Sequence, residues 1–143
     1  MSRIVVGIDE SAPSKAALRW AIEEATLRKA DLHVVVTWNH PVVAAAEPII
    51  VPMPDTETLV ATAKTTADHL ISESGLAESG LVYKVLTPEG RAGEELVTCA
   101  KDADLLVVGS HGSGALKELL LGSVSNYVAH HSRCPVVLVR TPD

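Results

Sequence analysis

Five short apolar runs alternate with four helical patterns along this chain, and that alternation limits the fold more than any other feature. The runs read as strands at Arg3–Ile8, Leu32–Trp38, Leu81–Leu86, Leu105–Gly109 and Val136–Arg140. Ile4, Val5, Val6 and Ile8 in the first, and Leu105–Val108 in the fourth, are nearly continuous in apolar side chains, as strands buried on both faces must be. Between the runs, apolar residues recur at three- and four-residue spacing. Ala17, Leu18, Ala21, Ile22 and Ala25 mark a first helix, opened by Ser11 and Pro13 and running to about Lys29. Leu59, Val60, Ala63, Ala67, Leu70 and Ile71 mark a second, from near Thr56 to Ser74, and shorter patterns follow at Gly93–Lys101 and Ser123–His131. Strands alternating with helices require right-handed crossovers and a mostly parallel sheet with helices on both faces. Several strand orders satisfy that rule.

With 143 residues the chain fits one domain, able to bury roughly two-thirds of its unfolded surface. It is 47% hydrophobic yet only 3% aromatic, so the core must be built from Val, Ala, Leu and Ile. A net charge of −6 argues against a nucleic-acid partner, whose phosphates select basic surfaces, and the few aromatics argue against a single-strand stacking platform. The two cysteines, Cys99 and Cys134, lie in no C-x-x-C, which suits reduced thiols in a cytoplasm better than a zinc or redox motif. The opening apolar run, Ile4–Ile8, is too short for a signal core or a membrane span, so a cytoplasmic protein without a membrane partner is expected.

Chemistry concentrates in Gly109–Ser125, GSHGSGALKELLLGSVS. Glycines there allow positive φ and let a ligand approach where a Cβ would stand. Gly122 and Ser123 open the last helical pattern, with Ser123 a candidate N-cap, and the unpaired N–H groups of a first helical turn attract phosphate oxygens. Read alone, a strand followed by Gly-x-x-Gly is first of all a plain turn between strand and helix. The full spacing, G-x2-G-x9-G-[ST] at Gly109, Gly112, Gly122 and Ser123, resembles the nucleotide signature of the ATP-binding branch of the universal stress protein family. The resemblance extends to GIDES at Gly7–Ser11, to ADLLVVGSHG and LKELLLGSVS, and to the closing CPVVLVR, and so spans nearly the whole chain.

That resemblance implies a three-layer α/β/α, Rossmann-like fold of the adenine nucleotide alpha hydrolase type, with five parallel strands in the order 3-2-1-4-5. Winding then reverses between strands 1 and 4, where open α/β sheets bind ligands. It implies a stress-response module holding ATP or another adenine nucleotide, with Mg²⁺ the usual divalent partner of such phosphates. The implied contacts are Gly7, Ile8 and Asp9 beside the adenosine, the main chain near Thr37 and Trp38 for the base, and Gly109, His111, Gly112, Ser113, Gly114 and Ala115 as the loop. Ser123, Val124 and Ser125, with two hydroxyls, complete the phosphate end after Gly122.

Each of these residues also has a plainer reading. Asp9 is a common turn residue before a helix, Trp38 suits a core, His111 suits an exposed loop, and Ser123 can be a cap alone. Many family members carry a basic residue after the second glycine; Ser113 stands there instead, leaving His111 and Lys117 as the nearby positive groups. Leu116, Leu119 and Leu120 fall at helical spacing and read as packing.

His130-His131 lies at a helix end, where positive charge suits the dipole. Asn39–Asp55 holds four of the eight prolines and no periodicity, reading as a mobile insertion, a flap over the ligand or a subunit contact. The family pairs strand 5 across a twofold axis, so a homodimer through Val136–Arg140 is expected. No nucleophile–base pair is visible, which ranks a nucleotide-binding module above a slow ATPase or phosphotransferase. The same pattern also suits AMP or cyclic AMP as the ligand, and a nucleotide-free interaction dimer ranks after these.

Overall fold

The central strand, β1 (Arg3–Gly7), lies between β2 (Asp31–Val35) and β4 (Leu105–Gly109), pairing in parallel with both. β3 (Tyr83–Leu86) and β5 (Val136–Val139) close the two edges, and the sheet runs β3-β2-β1-β4-β5 throughout in parallel. The computed structural model describes residues 2–40, 50, 52–111 and 121–141.

Alternation along β1 divides two cores. Ile4, Val6 and Ile8 join Leu32, Val34, Leu105 and Val107 under α1 (Ala12–Arg28) and α2 (Thr56–Ser74). Val5 and Val35 join Leu106 and Val108 on the other face, against Leu96 of α3 (Ala92–Cys99) and Val128 of α4 (Ser123–His131). Each fully buried Val, Leu or Ile contributes roughly 1.5–3 kcal/mol, so the sheet's centre carries most of the packing energy. The edge strand β5 serves both cores, Val137 and Val139 on one side and Val136 and Leu138 on the other, each only partly covered.

Local signals set the helix ends. The Ser11 hydroxyl accepts from Ser14 N at 3.3 Å with Pro13 in the first turn, and Lys29 ends α1 in a left-handed conformation at φ 54°. Asp55 caps α2 by accepting from Thr58 N at 2.7 Å, and those Thr58 hydrogen bonds hold its carboxyl below the ordinary value. Gly75 closes α2 at φ 79°, leading into a short 3-10 turn, Leu76–Glu78, that periodicity does not reveal.

Several boundaries differ from expectation. β2 leaves the regular ladder at Val35 rather than Trp38, although Val36 N still donates to Leu86 O and Trp38 forms a lone parallel bridge with Glu89. β1 and β5 end one residue earlier than expected, β3 starts at Tyr83, and α3 ends at Cys99. The cap of α4 is Gly122, not Ser123: Gly122 is extended (φ −67°, ψ 169°) and its carbonyl accepts from Asn126 N, which makes Ser123 the first helical residue.

Two stability effects follow. An alanine Cβ at Gly109 would stand 2.8 Å from the Pro13 backbone carbon, whereas at Gly7 it would meet the movable end of Leu96. Gly109→Ala is expected to cost about 2 kcal/mol in denaturant unfolding, and Gly7→Ala distinctly less. The second effect concerns His33, opposite Lys84 in the β2–β3 register. Partial burial first, then the charges of Arg3 and Lys84, depress its imidazole below the ordinary value, against an opposing Asp31. The folded state therefore binds that proton less readily than the unfolded chain. Its stabilising effect is complete above the ordinary imidazole value and is lost as pH falls from there through the depressed folded-state value. Melting temperatures from pH 7 to pH 5 should fall less in His33→Gln than in the parent.

Candidate functional site

Because all strands are parallel, their carboxyl ends and the helix N-termini gather at one end of the molecule. The winding reverses between β1 and β4, so the connections after those strands diverge and leave a crevice. A cleft of about 510 Å³ opens there. Gly7, Ile8 and Asp9 enter from β1; Gly109 ends β4 and His111 follows it; Val124 and Ser125 belong to the first turn of α4. Val36, Thr37, Trp38 and Asn39 form the β2 side, and Leu59, Thr62, Ala63 and Thr66 of α2 form an outer wall. Ten of the fourteen residues expected from sequence fall within the described part; of these, Gly7, Ile8, Asp9, Trp38, Gly109, His111, Val124 and Ser125 line this one cleft. Gly112, Ser113, Gly114 and Ala115, with Lys117, lie outside the described residues.

The glycines act differently from expectation. Gly109 and Gly122 do not adopt positive φ, which among the described glycines belongs to Gly75, Gly80 and Gly90. At Gly109 the missing Cβ leaves room for the Pro13 backbone, so the first turn of α1 seats directly on the end of β4. At Gly7 it leaves room for Leu96. Both glycines set the depth of the crevice by letting helices close behind it.

Asp9 does hold a turn. Its Oδ1 accepts from Ser11 N at 2.8 Å, while Asp9 N donates to the buried Ser14 Oγ at 2.6 Å. The carboxylate remains exposed at the cleft, so structural use and ligand access coexist. Trp38 is half-buried, its indole N–H donating to Thr87 O at 2.8 Å. Its own main chain is already committed, the N–H to Pro88 O and the carbonyl to Gly90 N. Val36 N is likewise committed to Leu86 O. Thr37, between them, enters no backbone–backbone hydrogen bond among the described residues and lines the cleft.

One carbonyl organises the α4 end. Ser110 O accepts from Gly122 N at 2.8 Å and from the Ser125 hydroxyl at 2.7 Å. Ser125 is 1% exposed and its hydroxyl also reaches Gly122 O. That hydroxyl is therefore spent within the chain and does not face the cleft as a donor, a correction to the two-hydroxyl reading. The N–H groups of Ser123, Val124 and Ser125 still belong to a first turn without intrahelical acceptors. Ser123 faces an adjoining hollow of about 400 Å³, bounded also by Arg91, Gly93 and Tyr127. His130 and His131 set Nδ1 against the carbonyls of Asn126 and Tyr127 at 2.8 and 2.9 Å.

Sequence reasoning placed the base contact near Thr37 and Trp38 but missed Ser14, the α2 threonines and Arg91. Ser14 had a signal, the Ser-x-x-Ser spacing of a capped turn; the α2 wall had none, because its polar residues read as a solvated face. Among the described residues no group of three His, Cys, Asp or Glu side chains is placed to hold a metal ion. Among them, too, no helix is long and apolar enough to cross a membrane.

Comparison with known proteins agrees with this architecture. The family model described as the universal stress protein family matches residues 1–140. A universal stress protein of Mycolicibacterium smegmatis is 35% identical over 150 residues, covering 98% of this chain and 48% of the relative. One of Mycobacterium tuberculosis is 36% identical over 148 residues, with the same coverages. The chain thus spans about half the length of these curated relatives. Among solved structures, a universal stress protein in complex with cAMP superposes with a TM-score of 0.68 at 25% identity, covering 99% of this chain and 98% of that one. With the family model matched over residues 1–140 and the fold in accord, the chain belongs to the universal stress protein family.

Proposed function

We propose that this chain binds an adenine nucleotide, ATP foremost, in the cleft between β1 and β4, and acts through it as a regulatory module of the stress response. The observation that carries this reading is the meeting, in one cleft of about 510 Å³, of both central strand ends with the first turn of α4. That volume lies within the range of small-molecule sites. The phosphates are assigned to the N–H groups of Ser123, Val124 and Ser125, where the helix dipole favours negative charge, and to the loop of Gly109, His111, Gly112, Ser113, Gly114 and Ala115. Asp9 accepts from the adenosine. Thr37 reads the base with one main-chain donor and one acceptor, the pairing that an adenine edge requires and Trp38 no longer offers. The exposed carboxylate of Glu10 suits a Mg²⁺ shared with the phosphates.

A cyclic or monophosphate ligand is the second reading, favoured by the relative crystallised with cAMP. Assembly is assigned to the open edge of β5, as a homodimer through Val136–Arg140, and the two free thiols, Cys99 and Cys134, suit a cytoplasmic setting.

Freshly purified protein, once denatured, should release an adenine nucleotide identifiable by mass. Calorimetric titrations should then rank ATP above AMP and cyclic AMP; no binding of any of the three at millimolar concentration would end the reading. Asp9→Asn keeps an oxygen for Ser11 N, so the fold should be unchanged by circular dichroism. Its affinity for adenosine and ATP should fall by the same factor, about tenfold for one lost charged hydrogen bond.

A further inference from the structure

The described lining of the cleft is poorly matched in charge to a polyphosphate. It holds the carboxylates of Asp9 and Glu10 and the imidazole of His111, but no lysine or arginine. The adjoining hollow of about 400 Å³ shares Asn39, Ala92 and Val124 with the cleft, so the two spaces meet beside the first turn of α4. Arg91 lines that hollow and is the one lysine or arginine among the described residues of either space.

The placement of this arginine is unusual. It occupies the N-cap of α3, makes no side-chain capping bond, and puts a cation at the positive end of a helix, where Ser, Asp or Asn would serve stability better. Glu94 borders the same hollow, yet among the described residues no carboxylate stands within ion-pair distance of Arg91. A cation set against its own helix, with no carboxylate paired to it among the described residues, is available to an anionic ligand.

We propose that Arg91 is a specificity-determining residue of the nucleotide site, contributing its guanidinium to the β- and γ-phosphates of a bound nucleoside triphosphate and so setting the preference for tri- over monophosphate. This rests on the nucleotide reading above and concerns the part of the ligand that reading leaves open. Five donors in a planar fork suit phosphate oxygens, and a long stem reaches them from a position outside the loop. The base and ribose lie toward β2 and β1, so AMP gains little from the same side chain.

The test is calorimetric titration of ATP, ADP and AMP into the parent protein, Arg91→Gln and Arg91→Ser. Both variants should lose about tenfold in ATP affinity, the low end for an exposed charged hydrogen bond, with AMP affinity changed less than twofold. The salt dependence of ATP binding should flatten with it. Arg91→Ser installs a better cap, so its melting temperature should match or exceed the parent's while its ATP affinity falls, which separates binding from folding. If the parent binds ATP and AMP but both variants keep its ATP-to-AMP affinity ratio, the role of Arg91 is overturned and the nucleotide reading stands. If the parent binds neither, both fall together.

Discussion

The double burial of β1 and β4 is the constraint on which the rest of this structure depends. Val5, Val6, Leu106 and Val107 are wholly enclosed, and the two strands are hydrogen-bonded to each other although about a hundred residues separate them in sequence. A parallel pair of that kind cannot be closed by a hairpin; it needs crossovers, and right-handed crossovers leaving in opposite directions open a gap between them. The crevice is thus a by-product of closing the core. Its position would be the same in a protein that bound nothing.

What distinguishes this crevice is the fastening of its rim. Ser110 O receives two donors from the start of α4, which draws the two ends of the glycine-bordered stretch together. On the β2 side, Trp38 and Asn39 make four hydrogen bonds with residues 87–90, so the connection into α3 is held beside the cleft as well. His40 extends the same rim, its ring nitrogens standing 3.2 Å from Glu89 Oε1 and 3.3 Å from Thr56 Oγ1, at the head of α2. The walls are therefore joined near their tops rather than through the core alone, as a preorganised binding site requires.

Much of this is legible in the residues. Helical periodicity locates every α-helix described and short apolar runs locate every strand, because a doubly buried strand must be apolar throughout and a packed helix along one stripe. Strand order comes from the family resemblance, since the crossover rule admits several. The second strand reads too long at Trp38 because apolar character continues where the ladder stops, the indole being used to brace a loop. The glycines mark the site but by different physics from the one their spacing suggests: an absent Cβ at Gly109 serves Pro13, which no local pattern announces. Ser125 shows the same limit, since a hydroxyl for a ligand and one for a carbonyl fifteen residues away are spelled identically. Arg91 has no motif spacing at all; only the folded chain brings it near Val124.

The edge strand also stands nearer to the cleft than its place at the border of the sheet suggests. Val139 O, in the last residue of β5, accepts from Ser110 N, and Ser110 O in turn accepts from Gly122 N at the mouth of α4. Two peptide units, end to end, span the way from the outermost strand to the turn assigned to phosphate. Whatever lies along that border is thus two main-chain hydrogen bonds from the pocket, and a proline at Ser110 or Gly122 would cut that link by removing the donor itself.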